Sequence, residues 1–298
     1  MALRDLTDIF KQDDLIRHLG KKKIITARDF LLAEPSRLAP LTYQEAKALK
    51  LRVARACAPF AQSGLQTYKE FVTNSAVVPS GVPQVDLILS GGLSTGQILE
   101  IFGFSGTGKS EFCHRLSVNV SLNLRKPVLY LHTKGDFDAQ AILRIMRGSA
   151  PVPPSSQAME DAAKKIQVAH IRSMEHLLVA LPNLLIRTNP RVVIVDSMAA
   201  LVHPLLGAQM VTLAKLQTVA NGLKRAAADS QFALLLVNHR TEAAVDATED
   251  ELEPRAAMGT AWQSVPQTRL LFAKEEDSYS VSLVKDAYLP KKTTVVKY

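Results

Sequence analysis

From residue 76 onward the chain alternates near-continuous apolar runs with stretches of helical periodicity, and this alternation limits the fold more than any other feature. In "RVVIVD" (191–196) and "FALLLVNH" (232–239) apolar residues follow one another instead of alternating with polar ones, the pattern of strands covered on both faces. Gln97–Phe102, "PVLYLH" and "IQVAHI" read as further strands. Helical stretches at Lys109–Asn123, Asp138–Arg147, 174–187 and 209–229 separate them, the last with Leu213, Leu216, Val219, Leu223 and Ala227 along one side. Three more β runs, at 268–273, 279–286 and 293–297, follow. Strand–helix alternation predicts a mostly parallel central sheet in a three-layer α/β domain.

Residues 1–58 read differently, as a small all-helical domain. Helical spacing runs through "LTDIFKQDDLIRHL", a short helix stops at Pro35, and "TYQE" at Thr42 forms a capping box with Glu45 that opens a helix ending near Cys57. Residues 59–75, with Pro59, Gly64 and several Ser, Thr and Gln, read as a linker to the core at 76–298. A hydrophobic content of 47% supports a sizeable core, and no apolar run reaches the ~18 residues of a membrane span. The first residues mix both charge signs, unlike a signal peptide. Cys57 and Cys113 show no metal-ligand spacing and no disulfide framework, which favours a reducing intracellular setting.

The net charge of +8 is uneven. Residues 1–58 hold twelve Lys/Arg against seven Asp/Glu, whereas 241–258 hold six acids against Arg255. A basic balance fits an anionic partner such as nucleic acid, or simply a solvated surface.

Gly103-Phe104-Ser105-Gly106-Thr107-Gly108-Lys109-Ser110 matches G-x-x-x-x-G-K-[ST] between an apolar strand and a helix, the context of a phosphate-binding loop. Its backbone N–H groups and the helix N-terminus would cradle phosphate, Lys109 would reach the β- and γ-phosphates of ATP, and the Ser110 hydroxyl would ligate Mg²⁺. Asp196, at the end of a buried strand, is the matching second ligand for the metal; the alternative is a helix N-cap.

"VDLILSGGLSTGQILEIFGFSGTGKS" (85–110), "VVIVDSMAALVHPLLG" (192–207) and "VNHRT…MGTAWQSVPQTRLLF" (237–272) resemble the RecA-like recombinase family. Within it they resemble the paralogs of the eukaryotic strand-exchange protein, the D-type branch in particular. The resemblance covers about 76–298 and implies a RecA-like P-loop NTPase core preceded by a small helical N-terminal domain. It further implies ATP and Mg²⁺ as cofactors, a nuclear setting, and Lys109 and Asp196 as catalytic residues.

Departures from the family pattern matter as much. Where strand-exchange enzymes carry a Thr-Glu-Gly turn whose glutamate activates water, this chain has Thr133-Lys134-Gly135, and a protonated lysine is no base. Asp136 and Asp138 are nearby candidates to replace it. Ala141 stands where the recombinases place a base-contacting arginine, and His239 where they place a glutamine that senses the γ-phosphate. The acidic 241–258 replaces a DNA-contacting segment and should repel a phosphate backbone. Lys21, Lys22, Lys23, Lys47, Lys50, Arg52 and Arg55 remain candidates for nucleic acid, with protein docking the equal alternative for this domain. The Phe-x-x-Ala self-assembly tag is absent from 59–75, and "FLLA" at 30–33 falls within a helix as core. "KDAYLP" resembles a segment that reaches the neighbouring subunit's nucleotide, which makes Lys285 and Asp286 candidate cross-interface residues; the alternative is ordinary end-of-strand charges.

The resemblance thus implies an ATP-binding accessory factor with slow hydrolysis. It would act in a hetero-oligomer of paralogs on the recombinase filament, with weak single-stranded DNA binding of its own and no membrane partner. An active DNA-dependent strand-exchange ATPase and a nucleotide-independent scaffold are the alternatives.

Overall fold

The computed structural model describes residues 7–10, 13–58, 63–149, 151–202, 209–241, 255–276 and 278–298. The chain divides into two compact units, Met1–Glu70 and Phe71–Tyr298.

The first unit is helical, with α1 (Thr7–Phe10), α2 (Asp13–Lys21), α3 (Ala27–Leu32), a 3₁₀ turn at Pro35–Leu38, and α4 (Tyr43–Cys57). Two capping boxes start its helices. Thr42 Oγ1 accepts from the Glu45 amide at 3.4 Å while Glu45 Oε2 accepts from the Thr42 amide at 2.8 Å, and Thr26 with Asp29 repeats the device at α3. Phe10 and Phe30 meet edge to face at 5.1 Å within a core that includes Leu19, Ile24 and Leu38. Phe30 and Ala33 of "FLLA" are therefore buried, as expected. The stretch read as a linker carries a helix, α5 (Gly64–Asn74). Ser63 starts it, its Oγ accepting from the Gln66 amide at 3.1 Å, so polar composition concealed a capped helix.

In the second unit, β1 (Val77–Val78) and β2 (Leu93–Ser94) form a small antiparallel pair around α6 (Pro83–Ile88). The alternation then runs β3 (Ile98–Gly103), α7 (Lys109–Val118), β4 (Val128–His132), α8 (Ala139–Gly148), α9 (Ser156–Lys165), β5 (Ile166–His170), α10 (Met174–Thr188) and β6 (Val192–Asp196). It continues through α11 (Met198–Val202), α12 (Gln209–Ser230), β7 (Ala233–Thr241), β8 (Arg255–Ala256), α13 (Gly259–Gln263), β9 (Thr268–Lys274), β10 (Tyr279–Lys285) and β11 (Thr293–Val296). The helix opening at Lys109 ends as α-helix at Val118 and reaches Asn123 as a π-helical turn.

Among the described residues these strands build one nine-stranded sheet in the order β11-β10-β9-β3-β7-β6-β4-β5, with β8 on β7. Neighbours from β9 to β5 are parallel, while β10 and β11 run antiparallel at one edge. Successive residues of β6 serve opposite faces: Val192 and Ile194 join one core with Phe112 and Leu116 of α7, Val193 and Val195 the other with Val219 and Leu223 of α12. That double burial is why the strand sequences are apolar without alternation. No helix among the described residues is long and apolar enough to cross a membrane. Residues 242–254 of the acidic segment and 203–207 of "HPLLG" lie outside the described residues.

Candidate nucleotide-binding site

The carboxyl ends of β3, β7, β6 and β4 lie side by side, and register places Gly103 opposite His239 and His132 opposite Asp196. Ligands of parallel α/β sheets bind at such an edge. Here the chain leaves β3 through Phe104–Gly108 and enters α7 at Lys109. Gly106 (φ +76°) and Gly108 (φ +83°) take the left-handed backbone that turns the loop. Gly103 has a different reason: a Cβ there would lie 2.1 Å from the Phe272 carbonyl oxygen on β9.

Lys109 is buried and folds back into the loop. Its Nζ donates to the Gly103 carbonyl at 2.9 Å, the Phe104 carbonyl at 2.5 Å and Thr107 Oγ1 at 3.1 Å. Burial pushes its pKa down to about 8; nearby Lys134 adds to the shift and Asp196 opposes it. Ser110 Oγ and the Tyr130 hydroxyl both donate to Asp196 Oδ2, at 3.0 and 2.9 Å. Thr133 braces the end of β6, its amide donating to the Asp196 carbonyl at 2.8 Å and its Oγ1 accepting from the Ser197 amide at 2.8 Å.

Lys134 and His239 meet above this group, with Nζ 3.3 Å from Nε2. Burial lowers the His239 pKa first, and the Lys134 and Lys109 charges lower it further. His239 is fixed through its backbone: its amide donates to Asn238 Oδ1 at 2.8 Å and its carbonyl accepts from the Ala257 amide at 2.8 Å. Of the two acids considered as replacement bases, Asp138 is committed elsewhere. It caps α8, Oδ1 accepting from the Gln140 and Ala141 amides at 2.8 and 3.0 Å, and those bonds lower its pKa. Asp136 is exposed on the same turn, and Ala141 is buried.

Lys285 and Asp286 are engaged within their own unit. Lys285 Nζ donates to the Gln263 and Pro266 carbonyls, each at 2.7 Å, and Asp286 Oδ2 accepts from Thr268 Oγ1 at 2.6 Å. Two of the basic candidates in the first unit also bind backbone: Lys22 Nζ donates to the Ala39 carbonyl at 2.9 Å and Lys50 Nζ to the Ala33 carbonyl at 2.6 Å. Lys21, Lys23, Lys47, Arg52 and Arg55 are exposed.

The sequence reading missed the support behind the loop. Glu100, fully buried on β3, accepts from Asn238 Nδ2 at 2.9 Å, Trp262 Nε1 at 2.8 Å and Arg269 Nε at 2.7 Å, tying together β3, β7, α13 and β9. An acid inside "ILEIF" was the available signal, since a charge between apolar strand residues needs a buried partner. Arg240 was also missed; its guanidinium lies over the Phe104 ring at 4.9 Å.

A magnesium nucleotide fits these residues. Lys109 is a buried cation whose hydrogen bonds go to neutral oxygens, so it lacks an anion, and the Ser110 hydroxyl with the Asp196 carboxylate is a hard-oxygen pair suited to Mg²⁺. No group of three or more acidic, His or Cys side chains that could hold a metal occurs among the described residues.

A glycine-rich strand–loop–helix at the carboxyl edge of a mostly parallel sheet, closed by an antiparallel hairpin, defines an α/β P-loop domain of the RecA type. The chain belongs to the Rad51 family, whose model matches residues 73–296. It is 31% identical to "DNA repair protein RAD51 homolog 4" of Bos taurus over 296 residues, 93% of this chain and 88% of that protein. Identity to the Mus musculus protein of the same name is 30%, over 87% of this chain and 80% of that one. Identity to "DNA repair protein RAD51 homolog 2" of Homo sapiens is 25%, over 91% and 80%.

Proposed function

We propose that this chain is an ATP-binding accessory factor of homologous recombination, working in the nucleus within a hetero-oligomer of related paralogs. There it helps assemble or stabilise the recombinase filament on single-stranded DNA. The observation that carries this reading is the pairing of an intact phosphate loop with Lys134 where a water-activating carboxylate would stand. Lys109 would hold the nucleotide's β- and γ-phosphates, and Ser110 with Asp196 would hold Mg²⁺. Bound there, Mg²⁺ offsets phosphate charge. Lys134 supplies no carboxylate to take the proton of an attacking water, so hydrolysis is slow. Family membership and the relatives named as DNA repair proteins support the recombination setting. The exposed Lys47, Arg52 and Arg55 of α4, with Lys21 and Lys23, support a weak contact with a nucleic-acid backbone.

The test joins two measurements: single-turnover hydrolysis of Mg-ATP, and coexpression with related paralogs followed by size exclusion with light scattering. Tight nucleotide binding, slow turnover and a defined hetero-oligomer are expected. Fast DNA-stimulated turnover by the isolated chain would instead mark an active strand-exchange ATPase.

A further inference from the structure

The antiparallel strands β10 and β11 close one edge of the sheet, and two tyrosines at one end of this hairpin meet the phosphate loop. Tyr279 opens β10, where it pairs with Val296 of β11, and Tyr298 follows two residues further on. Their ring centres lie 5.2 Å apart at an angle of 45°. Both rings press on Gly108: a Cβ there would come within 2.7 Å of Tyr298 Cε2 and 3.3 Å of Tyr279 Cδ1. Gly108 stands at the head of α7 with φ +83°, and its carbonyl accepts from the Phe112 amide at 2.9 Å. The Arg115 guanidinium lies 5.1 Å from the Tyr298 ring centre, and Glu111 Oε1 holds it by accepting from Arg115 Nε at 2.9 Å. The Tyr298 ring therefore touches α7 at its head and again about two turns on. Its hydroxyl is buried without a hydrogen-bond partner among the described residues, and that burial pushes its pKa up.

We infer that Tyr279 and Tyr298 are positioning residues of the nucleotide site, whose rings hold Gly108 and, through it, the backbone amides at the head of α7. This inference rests on the nucleotide-site reading given above. Position 108 needs glycine for its positive φ, and glycine also brings the most backbone freedom to the point where several N–H groups have to converge on a phosphate. A cradle that is already in place loses less entropy on binding than one that must first be ordered. Lys109 ties down the start of the loop through the Gly103 and Phe104 carbonyls, and the two rings restrain its end. They do so by packing alone, so they take no amide donor that a phosphate would use. The aromatic ring is the working part of Tyr298, because its hydroxyl bonds to nothing.

The experiment combines amide hydrogen exchange of the full chain without nucleotide and calorimetric titration with Mg-ATP, for wild type, Tyr298→Phe, Tyr298→Leu and Tyr279→Leu. Tyr298→Leu keeps apolar bulk and loses the flat ring, and a thermal melt checks that each variant folds. It should speed exchange in peptides covering 103–112 while β4 and β6 exchange as in wild type. It should also weaken Mg-ATP by roughly two- to ten-fold, the scale of one aromatic contact. Tyr279→Leu should act in the same direction and less strongly, since its ring atoms lie farther from Gly108. Tyr298→Phe keeps the ring and should match wild type in loop exchange and affinity, because it removes a buried hydroxyl that has no partner. Faster exchange spread over the whole core, or Tyr298→Phe as impaired as Tyr298→Leu, would overturn the inference. Weaker binding with unchanged loop exchange would do so too, since the ring would then be touching the nucleotide itself. These results leave the nucleotide site intact; if wild type binds no Mg-ATP, the site reading fails and this inference falls with it.

Discussion

Replacing Glu100 by alanine removes the carboxylate that neutralises a buried guanidinium. The Glu100 side chain has no exposed surface and the Arg269 side chain 8%, and their oxygen and nitrogen lie 2.7 Å apart. Arg269 has little to fall back on: its Nη2 is buried without a hydrogen-bond partner, and its remaining favourable contact is the Phe102 ring at 4.8 Å. Breaking a buried pair by removing one member costs about 3–5 kcal/mol. Trp262 Nε1 also loses its acceptor, a further ~1–3 kcal/mol that overlaps with the first, while Asn238 keeps its bond to the Ala257 carbonyl at 3.0 Å. A loss of about 5 kcal/mol compares with a total stability of roughly 5–15 kcal/mol for a domain, so Glu100→Ala should stand at the edge of unfolding. The double variant Glu100→Ala/Arg269→Met removes both charges and should recover about 2 kcal/mol or more of that loss. Urea unfolding followed by the fluorescence of Trp262, the single tryptophan, measures both variants at the network itself. A single variant within about 1 kcal/mol of wild type, or a double variant no more stable than the single, would refute the reasoning.

Gly103→Ala should destabilise by about 1–3 kcal/mol or more, because the new methyl meets a backbone carbonyl on β9 that cannot turn aside; thermal melting checks this. Lys109→Ala should weaken Mg-ATP binding by roughly ten- to a hundred-fold, read by calorimetry, since the buried cation facing the phosphates is gone. Stability should fall as pH drops below 6.5. Burial lowers the folded-state pKa of His114, His132 and His239 from that value, so the unfolded chain binds more protons in that window, and the stability present above it is lost as pH falls toward the folded values. Urea midpoints at pH 7.5, 6.0 and 5.0 test the sign, and a midpoint that rises on acidification would contradict it.

Much of the fold was legible because its signals are local. The capping box at Thr42 and the end of α4 at Cys57 stand where the sequence placed them, and β4 and β6 fall inside "PVLYLH" and "RVVIVD". Capping, helical periodicity and apolar runs act over a few residues, so a linear reading finds them. The loop from Gly103 to Ser110 is likewise a contiguous motif whose flanking strand and helix were readable beside it. Composition was a weaker guide at 63–74, where Gly64 and its polar neighbours gave no helical signal although Ser63 caps α5.

What no local signal carried was which distant residues would meet. Sheet order decides that β7 and β6 lie between β3 and β4, and so that Lys134 touches His239, 105 residues away, above Asp196. The same order buries Glu100 against Asn238, Trp262 and Arg269, 138, 162 and 169 positions distant, and sets Tyr130 on Asp196 across 66. It also turns Lys285 inward onto two carbonyls. By itself, then, the sequence determined the elements and the phosphate loop, because residue type and short spacing encode these. Only the tertiary structure decided that Lys134 reaches His239, because a side chain's partner is set by the stacking of strands far apart in the chain and by the cost of leaving buried polar groups unpaired.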